Sequence, residues 1–329
     1  MRILLAHPRG YCAGVEMAIN SLEVALQRYG APLYVYHQIV HNTYLVDQFT
    51  ARGVVFVDSV DDVPTGGTLM YSAHGVAPDV RNAALEQRLN IIDATCPLVT
   101  KVHGEAIRYA RKGYTIILIG HQGHDEIVGV MGEAPHAIKL VQSVADVETL
   151  EVSEPGRIAY LTQTTLSVAE KQHIEAALLR RFPHIEQPRT EDICYATQNR
   201  QFAVRELAPE AQLVVIIGSQ HSSNSRRLAD VAHEHGTPSR MIDGPEELQQ
   251  HWFENVGTVL VTAGASVPEI LVEETVTWLG NHFNTTVEER SVTDESQQFH
   301  LPVELRRTTV VANWQSLIEL PEQGKFTTT

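Results

Sequence analysis

The chain has little cysteine. Cys12, Cys96 and Cys194 are its only three, and no two are close in sequence. An odd, widely spaced set argues against a disulfide framework and leaves free thiols or metal ligation. The ferredoxin spacing C-x2-C-x2-C is absent, so local spacing supports no cluster. No apolar run approaches the roughly 20 residues that span a bilayer. The N-terminal run Ile3-Leu4-Leu5-Ala6 is also too short for a signal-peptide core, so a cytoplasmic protein without membrane partners is expected. Basic charge is scarce: 25 Lys and Arg face 40 Asp and Glu, a formal net charge of −15. That excludes nucleic acid as a main partner, because it demands a basic face. No Walker-type G-x-x-x-x-G-K-[ST] occurs, so a phosphate here belongs to a small substrate rather than to a bound NTP.

What is present is repetition. The 329 residues suffice for two or three domains. Apolar runs of strand length alternate with helical patterns, which predicts an α/β fold with mainly parallel sheets. Three sets of segments match in order. "PLYVYHQIVHN", "YTIILIGHQGHDE" and "LVVIIGSQHSSNS" are strands running into polar loops. "VVFVDSVDDV", "IKLVQSVADV" and "SRMIDGPEEL" are strands turning into acidic helix starts. "GTLMYSAHG", "GRIAYLTQTT" and "GTVLVTAGAS" are strands ending in small polar residues. Each unit begins at a cysteine followed by a helix. Units one and two close with a strand that delivers the next cysteine, "NIIDATC" and "EDIC". Unit three has no such strand, and "RILLAHPRGYC" at the N-terminus is expected to supply it. The expected division is therefore 14–95, 96–193, and 194–283 plus 1–13, arranged about a pseudo-threefold axis. A C-terminal segment, 284–307, and a Thr-rich disordered tail, 308–329, follow. The three cysteines then occupy matched positions near the axis. An isolated cysteine usually packs as a small hydrophobe; the matched placement argues for a shared site instead.

Ligands of open α/β sheets bind beyond the carboxyl ends of the strands. His41, His74, His121, His124, Glu126, Thr164, Ser222, Ser223, Asn224 and Ser266 fall there. Three thiolates suit zinc with an open position, or a four-iron cluster with one iron free for substrate. "SSNSRRLADVA" puts Ser222, Ser223 and Asn224 at a helix start, where free amides and the helix dipole favour anions. Plain N-capping explains one serine but not all three residues. His41, His74 and His124 follow strands in different loops, and together would bring positive charge to a phosphate group. Glu126 can donate a proton if burial raises its pKa, while its neighbour Asp125 is expected to be the exposed one.

At these residues a resemblance appears. "HPRGYCAGVEMAI", "HQIVHN", "SAHGV", "DATCPLVTKVH", "GHQGHDEIVG", "TQTTLSV", "DICYATQNRQ", "GSQHSSNSRRL" and "TAGAS" resemble, in order across residues 1 to about 306, the 4-hydroxy-3-methylbut-2-enyl diphosphate reductases of the LytB/IspH family. The resemblance implies three α/β domains around one 4Fe-4S cluster held by Cys12, Cys96 and Cys194. It implies reductive loss of the hydroxyl from an allylic diphosphate, giving isopentenyl and dimethylallyl diphosphates. It places His41, His74, His124, Ser222, Ser223, Asn224 and Ser266 around the diphosphate, with Glu126 and Thr164 near the substrate hydroxyl. Ferredoxin or flavodoxin is the kind of electron donor implied. One loop departs from the pattern: Asp125 stands where Pro is expected. The rival reading from chemistry alone is a cluster-dependent dehydratase of a small phosphorylated substrate, which needs no net electron transfer.

Overall fold

The computed structural model describes residues 1–306; the Thr-rich tail expected at 308–329 lies outside the described residues. Three sheets form, all of their pairings parallel. The first sheet has the order β3-β2-β4-β5, from Leu33–Tyr36 (β2), Val54–Val57 (β3), Thr68–Tyr71 (β4) and Asn90–Asp93 (β5). The second is β7-β6-β8, from Thr115–Ile119 (β6), Ile138–Val141 (β7) and Ile158–Thr162 (β8). The third is β10-β9-β11-β1-β12, from Arg2–His7 (β1), Leu213–Ile217 (β9), Ser239–Ile242 (β10), Thr258–Ala263 (β11) and Thr286–Ser291 (β12). β8, at the edge of its sheet, and β9, inside its sheet, are buried along their whole length, as expected of parallel strands covered on both faces.

The three sheets repeat one arrangement. β2, β6 and β9 are equivalent, with β3, β7 and β10 on one side and β4, β8 and β11 on the other. β5 pairs with β4, and the N-terminal β1 pairs with β11 in the same place, Arg2 against Thr258. The second sheet lacks this fourth strand, which corrects the expectation for "EDIC". Glu186 makes an isolated parallel bridge with Ala159. Pro188 then has no amide to continue a ladder. The Asp192 carboxylate takes the Thr162 amide at 2.9 Å instead. The third sheet gains a strand from the C-terminal segment 284–307: β12 runs beside β1, from Arg2–Thr286 to His7–Ser291.

Each cysteine is the N-cap of a helix: Cys12 before Ala13–Tyr29 (α1), Cys96 before Pro97–Arg111 (α4) and Cys194 before Tyr195–Leu207 (α8). Each helix packs its apolar side on its sheet. Its start lies at the carboxyl end of the strands, where its free amides face the centre of the molecule.

Candidate active site

The cysteine loops are docked by one repeated hydrogen bond. The amide of Cys12 donates to Ala265 O (3.3 Å), that of Cys96 to Ala73 O (3.0 Å) and that of Cys194 to Thr164 O (3.0 Å). The three acceptors are equivalent residues in the loops after β11, β4 and β8. The thiols therefore converge from three helix starts, whose dipoles favour thiolate. Burial, with the charge of Cys12 nearby, pushes the Cys96 thiol up to about 12 and Cys194 up to about 11. Bound metal reverses that order of preference, since a coordinating thiol is deprotonated outright. Gly14 keeps the space between the sulfurs open: a Cβ there would lie 2.6 Å from Cys96 Sγ and 3.9 Å from Cys12 Sγ. Three soft sulfur donors, no fourth cysteine and a reserved gap suit a cluster with one unligated iron.

Every candidate singled out from the sequence, apart from His121, lines one cavity with about 760 Å³ of open space. His121 points away and pairs with Glu170, Nε2 to Oε1 at 3.1 Å. Val15, Val40, Ala73, Leu98, Val99 and Phe299 make up the apolar part of the lining, and the histidines, hydroxyls and Asn224 its polar side.

The polar side is assembled from loops of all three units. His41 and His74 stack at 4.2 Å between ring centroids, and His124 meets both edge-on at 5.7 and 5.9 Å. His124 caps the helix Asp125–Glu133 (α5) by accepting the Glu126 amide on Nδ1 (3.2 Å), which assigns the ring proton to Nε2. Burial lowers all three histidines: His74 falls well below its usual value and His124 to about 4. The expected ready-made positive charge is thus corrected. These rings favour the neutral form until an anion arrives to stabilise the charged one.

Asp125 is also not the exposed neighbour expected. Its side chain is 19% exposed and sits among imidazoles: His37 Nδ1 at 2.8 Å, His41 Nε2 at 3.7 Å and His74 Nδ1 at 3.9 Å. Burial opposes its ionisation, but the His37 hydrogen bond and the surrounding rings outweigh that and hold it at about 2. The same hydrogen bond raises His37.

The helix Ser223–Glu234 (α9) supplies the third wall. Ser222 is the N-cap and accepts the Ser225 amide at 3.3 Å, so plain capping does account for one serine. Ser223 and Asn224 remain. Asn224 is 4% exposed, and neither Oδ1 nor Nδ2 has a hydrogen-bond partner among the described residues. A buried amide without partners costs about 1–3 kcal/mol, a cost that a polar ligand removes. Ser266 Oγ bonds His41 O at 3.0 Å and joins unit three to unit one.

Glu126 lies in the first turn of α5 and is 1% exposed. Its two oxygens accept from Thr164, the amide at 2.8 Å and Oγ1 at 2.9 Å. Burial, opposed by these bonds, raises it to about 7. It is a carboxyl that holds its proton near neutrality.

Sequence reasoning missed Thr165, Thr197 and Phe299. Thr165 was within reach, because the residue after each cysteine's acceptor is His74, Thr165 or Ser266. Thr197 Oγ1 lies 3.0 Å from Cys194 Sγ, one turn along α8. Phe299 carries no local signal; only the path of the C-terminal segment brings it to the cavity.

A family model described as LytB protein matches residues 3–280. The chain is 54% identical over 306 residues to the 4-hydroxy-3-methylbut-2-enyl diphosphate reductase of Rhodopirellula baltica, covering 93% of this chain and 96% of that one. The Streptomyces coelicolor protein of the same name is 50% identical over 307 residues, covering 93% and 91%. Among solved structures, the E-1-hydroxy-2-methyl-but-2-enyl-4-diphosphate reductase from Plasmodium falciparum matches with a TM-score of 0.90 at 37% identity, over 92% of this chain and 96% of that one. A second solved structure, titled as (E)-4-hydroxy-3-methyl-but-2-enyl diphosphate reductase, the terminal enzyme of the non-mevalonate pathway, matches with a TM-score of 0.61 at 30% identity, over 85% and 99%.

Proposed function

The chain belongs to the LytB protein family, and on that premise we propose a division of labour within its one cavity. The reaction is reductive dehydroxylation of 4-hydroxy-3-methylbut-2-enyl diphosphate to isopentenyl and dimethylallyl diphosphates, the last step of non-mevalonate isoprenoid precursor synthesis. One C–O bond breaks and one C–H bond forms. Two electrons and two protons enter, and water leaves. Cys96, the first residue of the unit 96–193, and Cys12 and Cys194, both in the unit 194–283 plus 1–13 that closes back on 14–95, would hold a 4Fe-4S cluster. That cluster supplies the electrons and an open coordination position.

The chain's own groups do the rest. His41, His74, His124, Ser222, Ser223, Asn224 and Ser266 bind the diphosphate, whose charge stabilises the protonated imidazoles. The apolar lining covers the hydrocarbon and excludes water, and fixing the skeleton lowers the entropic part of the barrier. Glu126 is the proton source. Hydroxide is a poor leaving group unless protonated, and Thr164 Oγ1, bonded to the Glu126 carboxyl, passes the proton to it or holds it in place. The observation that carries this reading is the buried Glu126, raised to about 7 and bonded to Thr164, in the same cavity as the thiols of three N-cap cysteines and an unpartnered Asn224. A ferredoxin or flavodoxin as electron donor and a cytoplasmic location complete the proposal. Among the described residues no helix is long and apolar enough to cross a membrane.

The test is anaerobic purification followed by iron and sulfide analysis and turnover with a reduced viologen dye. About four irons per chain and dye oxidation that needs substrate are expected. A colourless, iron-free protein would sink the cluster. Full turnover without any reductant would favour the dehydratase instead.

A further inference from the structure

Arg200, on α8, is fully buried. A guanidinium out of water needs partners on every side. Nε and Nη2 donate to Gly10 O at 3.1 and 2.7 Å, Nη2 also to Tyr11 O at 3.1 Å, and Nη1 to Ala196 O at 3.0 Å. Gly10 and Tyr11 immediately precede Cys12, and Ala196 follows two residues after Cys194. One side chain of α8, the helix that Cys194 caps, therefore grips the backbone of the loop that leads into Cys12 and the first turn of its own helix.

Its charge is balanced from a third place. Glu295 receives Nη1 at 2.9 Å and Nη2 at 3.3 Å, and Asn199 Nδ2 adds a bond at 3.0 Å. Glu295 lies just beyond β12, on a strap of residues 292–306. The strap leaves the third sheet, sets Phe299 in the cavity lining and buries Leu305 in the core around β2, with Leu22 and Leu26. Arg28 Nη1 anchors it at Glu304 O, 2.8 Å away.

We propose that Arg200 and Glu295 are a positioning pair that couples the strap to the cysteine loops, so that the hold on the cluster depends on the strap being docked. The proposal rests on the reading that the three cysteines ligate an iron–sulfur cluster. The physical reason is the shortage of ligands. A three-thiolate site has no spare sulfur, so the separation of Cys12 and Cys194 must be held from outside the metal. Charge-assisted bonds from one guanidinium do that. Without Glu295 the guanidinium is a buried charge facing only neutral carbonyls. It is then drawn towards water, and the bonds to Gly10 and Tyr11 slacken.

The experiment uses the full chain, loaded and purified without oxygen. The rate at which a ferrous chelator withdraws iron is measured for the parent, for Glu295→Gln and for Glu133→Gln. Glu133 belongs to another buried ion pair, with Arg81 and His103, outside the cavity lining. Glu295→Gln should load the parental amount of iron but release it about tenfold faster. Glu133→Gln should lower the thermal midpoint while releasing iron at the parental rate. Iron release from Glu295→Gln at the parental rate would overturn the proposal. So would an equal acceleration in Glu133→Gln, which would mark general loosening. A parent that takes up no iron would overturn the cluster reading and this proposal with it.

Discussion

At the thiol end of the cavity three matched helix starts contribute the same residue in the same place. Cys12, Cys96 and Cys194 each cap a helix, and each docks its amide on the equivalent loop carbonyl. At the polar end the equivalent loops contribute different residues. After β2, β6 and β9 come His41, His124 and the Ser222–Asn224 run; after β4, β8 and β11 come His74, Thr165 and Ser266. One scaffold thus has a symmetric set of soft donors, which would suit a symmetric inorganic group. It also has an asymmetric set of hydrogen-bonding groups, which would suit an asymmetric organic ligand. The difference teaches that repetition of the fold constrains the first set, while the second set is free to diverge loop by loop.

The severest way to break this contrast is at the symmetric end. Cys12→Ser, Cys96→Ser and Cys194→Ser should each bring iron content and turnover to background, because every ligand of a three-thiolate site is needed. One variant with full iron and activity would make its cysteine structural and the symmetry accidental.

The next effect lies between the two ends. Glu126→Gln keeps the shape of the side chain but has no acidic proton. Turnover should fall by about 10²–10⁴-fold with iron content unchanged. The pH profile has a definite sign. Glu126 is raised to about 7 from 4.5, so its proton is present below about 7 and lost as pH rises through it. Turnover should decline on that alkaline limb, and Glu126→Gln should lack the limb. Stability follows the same direction: the contribution of Glu126 is full below its unfolded value and is lost as pH rises through about 7. An unchanged kcat in Glu126→Gln under saturating reductant would move the proton source elsewhere.

The smallest effect should come from a single residue of the asymmetric end. Asn224→Ala removes both unpartnered amide atoms, of which Nδ2 can donate to the diphosphate. Charge-assisted bonds contribute about 1.5–3 kcal/mol, so KM should rise by roughly ten- to a hundredfold while kcat and iron content hold. A KM equal to that of the parent would take Asn224 out of the clamp.

Much of this contrast was legible in the sequence. The cysteines, their helices and the displaced strand β1 share a pattern that occurs three times, and a repeated pattern survives local ambiguity. Other features had no such support. The residues of β12, Thr286–Ser291, are almost all exposed and show no apolar alternation. Backbone pairing with β1 holds it, along with side-chain links such as Arg2 to Glu288 at 2.8 Å. The strand expected at "EDIC" failed for the opposite reason. Its pattern fits, but Pro188 interrupts the ladder and a carboxylate takes over the edge amide. Asp125 was misread because a carboxylate beside a buried one resembles a solvated partner. Only the folded chain brings His37, His41 and His74 to it.

The position of β1 also orders events in time. It lies between β11 and β12, with Arg2 opposite both Thr258 and Thr286. A ribosome releases this strand well before either of its two neighbours. While the first two sheets can form as their segments emerge, the strand leading to Cys12 has no edge to join until β11 emerges. The entropic cost of so long a closure grows only slowly with its length, but such non-local pairing is slow. Nascent chains interrupted before residue 258 would therefore carry Cys12 on a loose end, and α8, which Cys194 caps, would lack its packing on β1 and β11. Any group that needs all three thiols would then be acquired only after β11 has emerged.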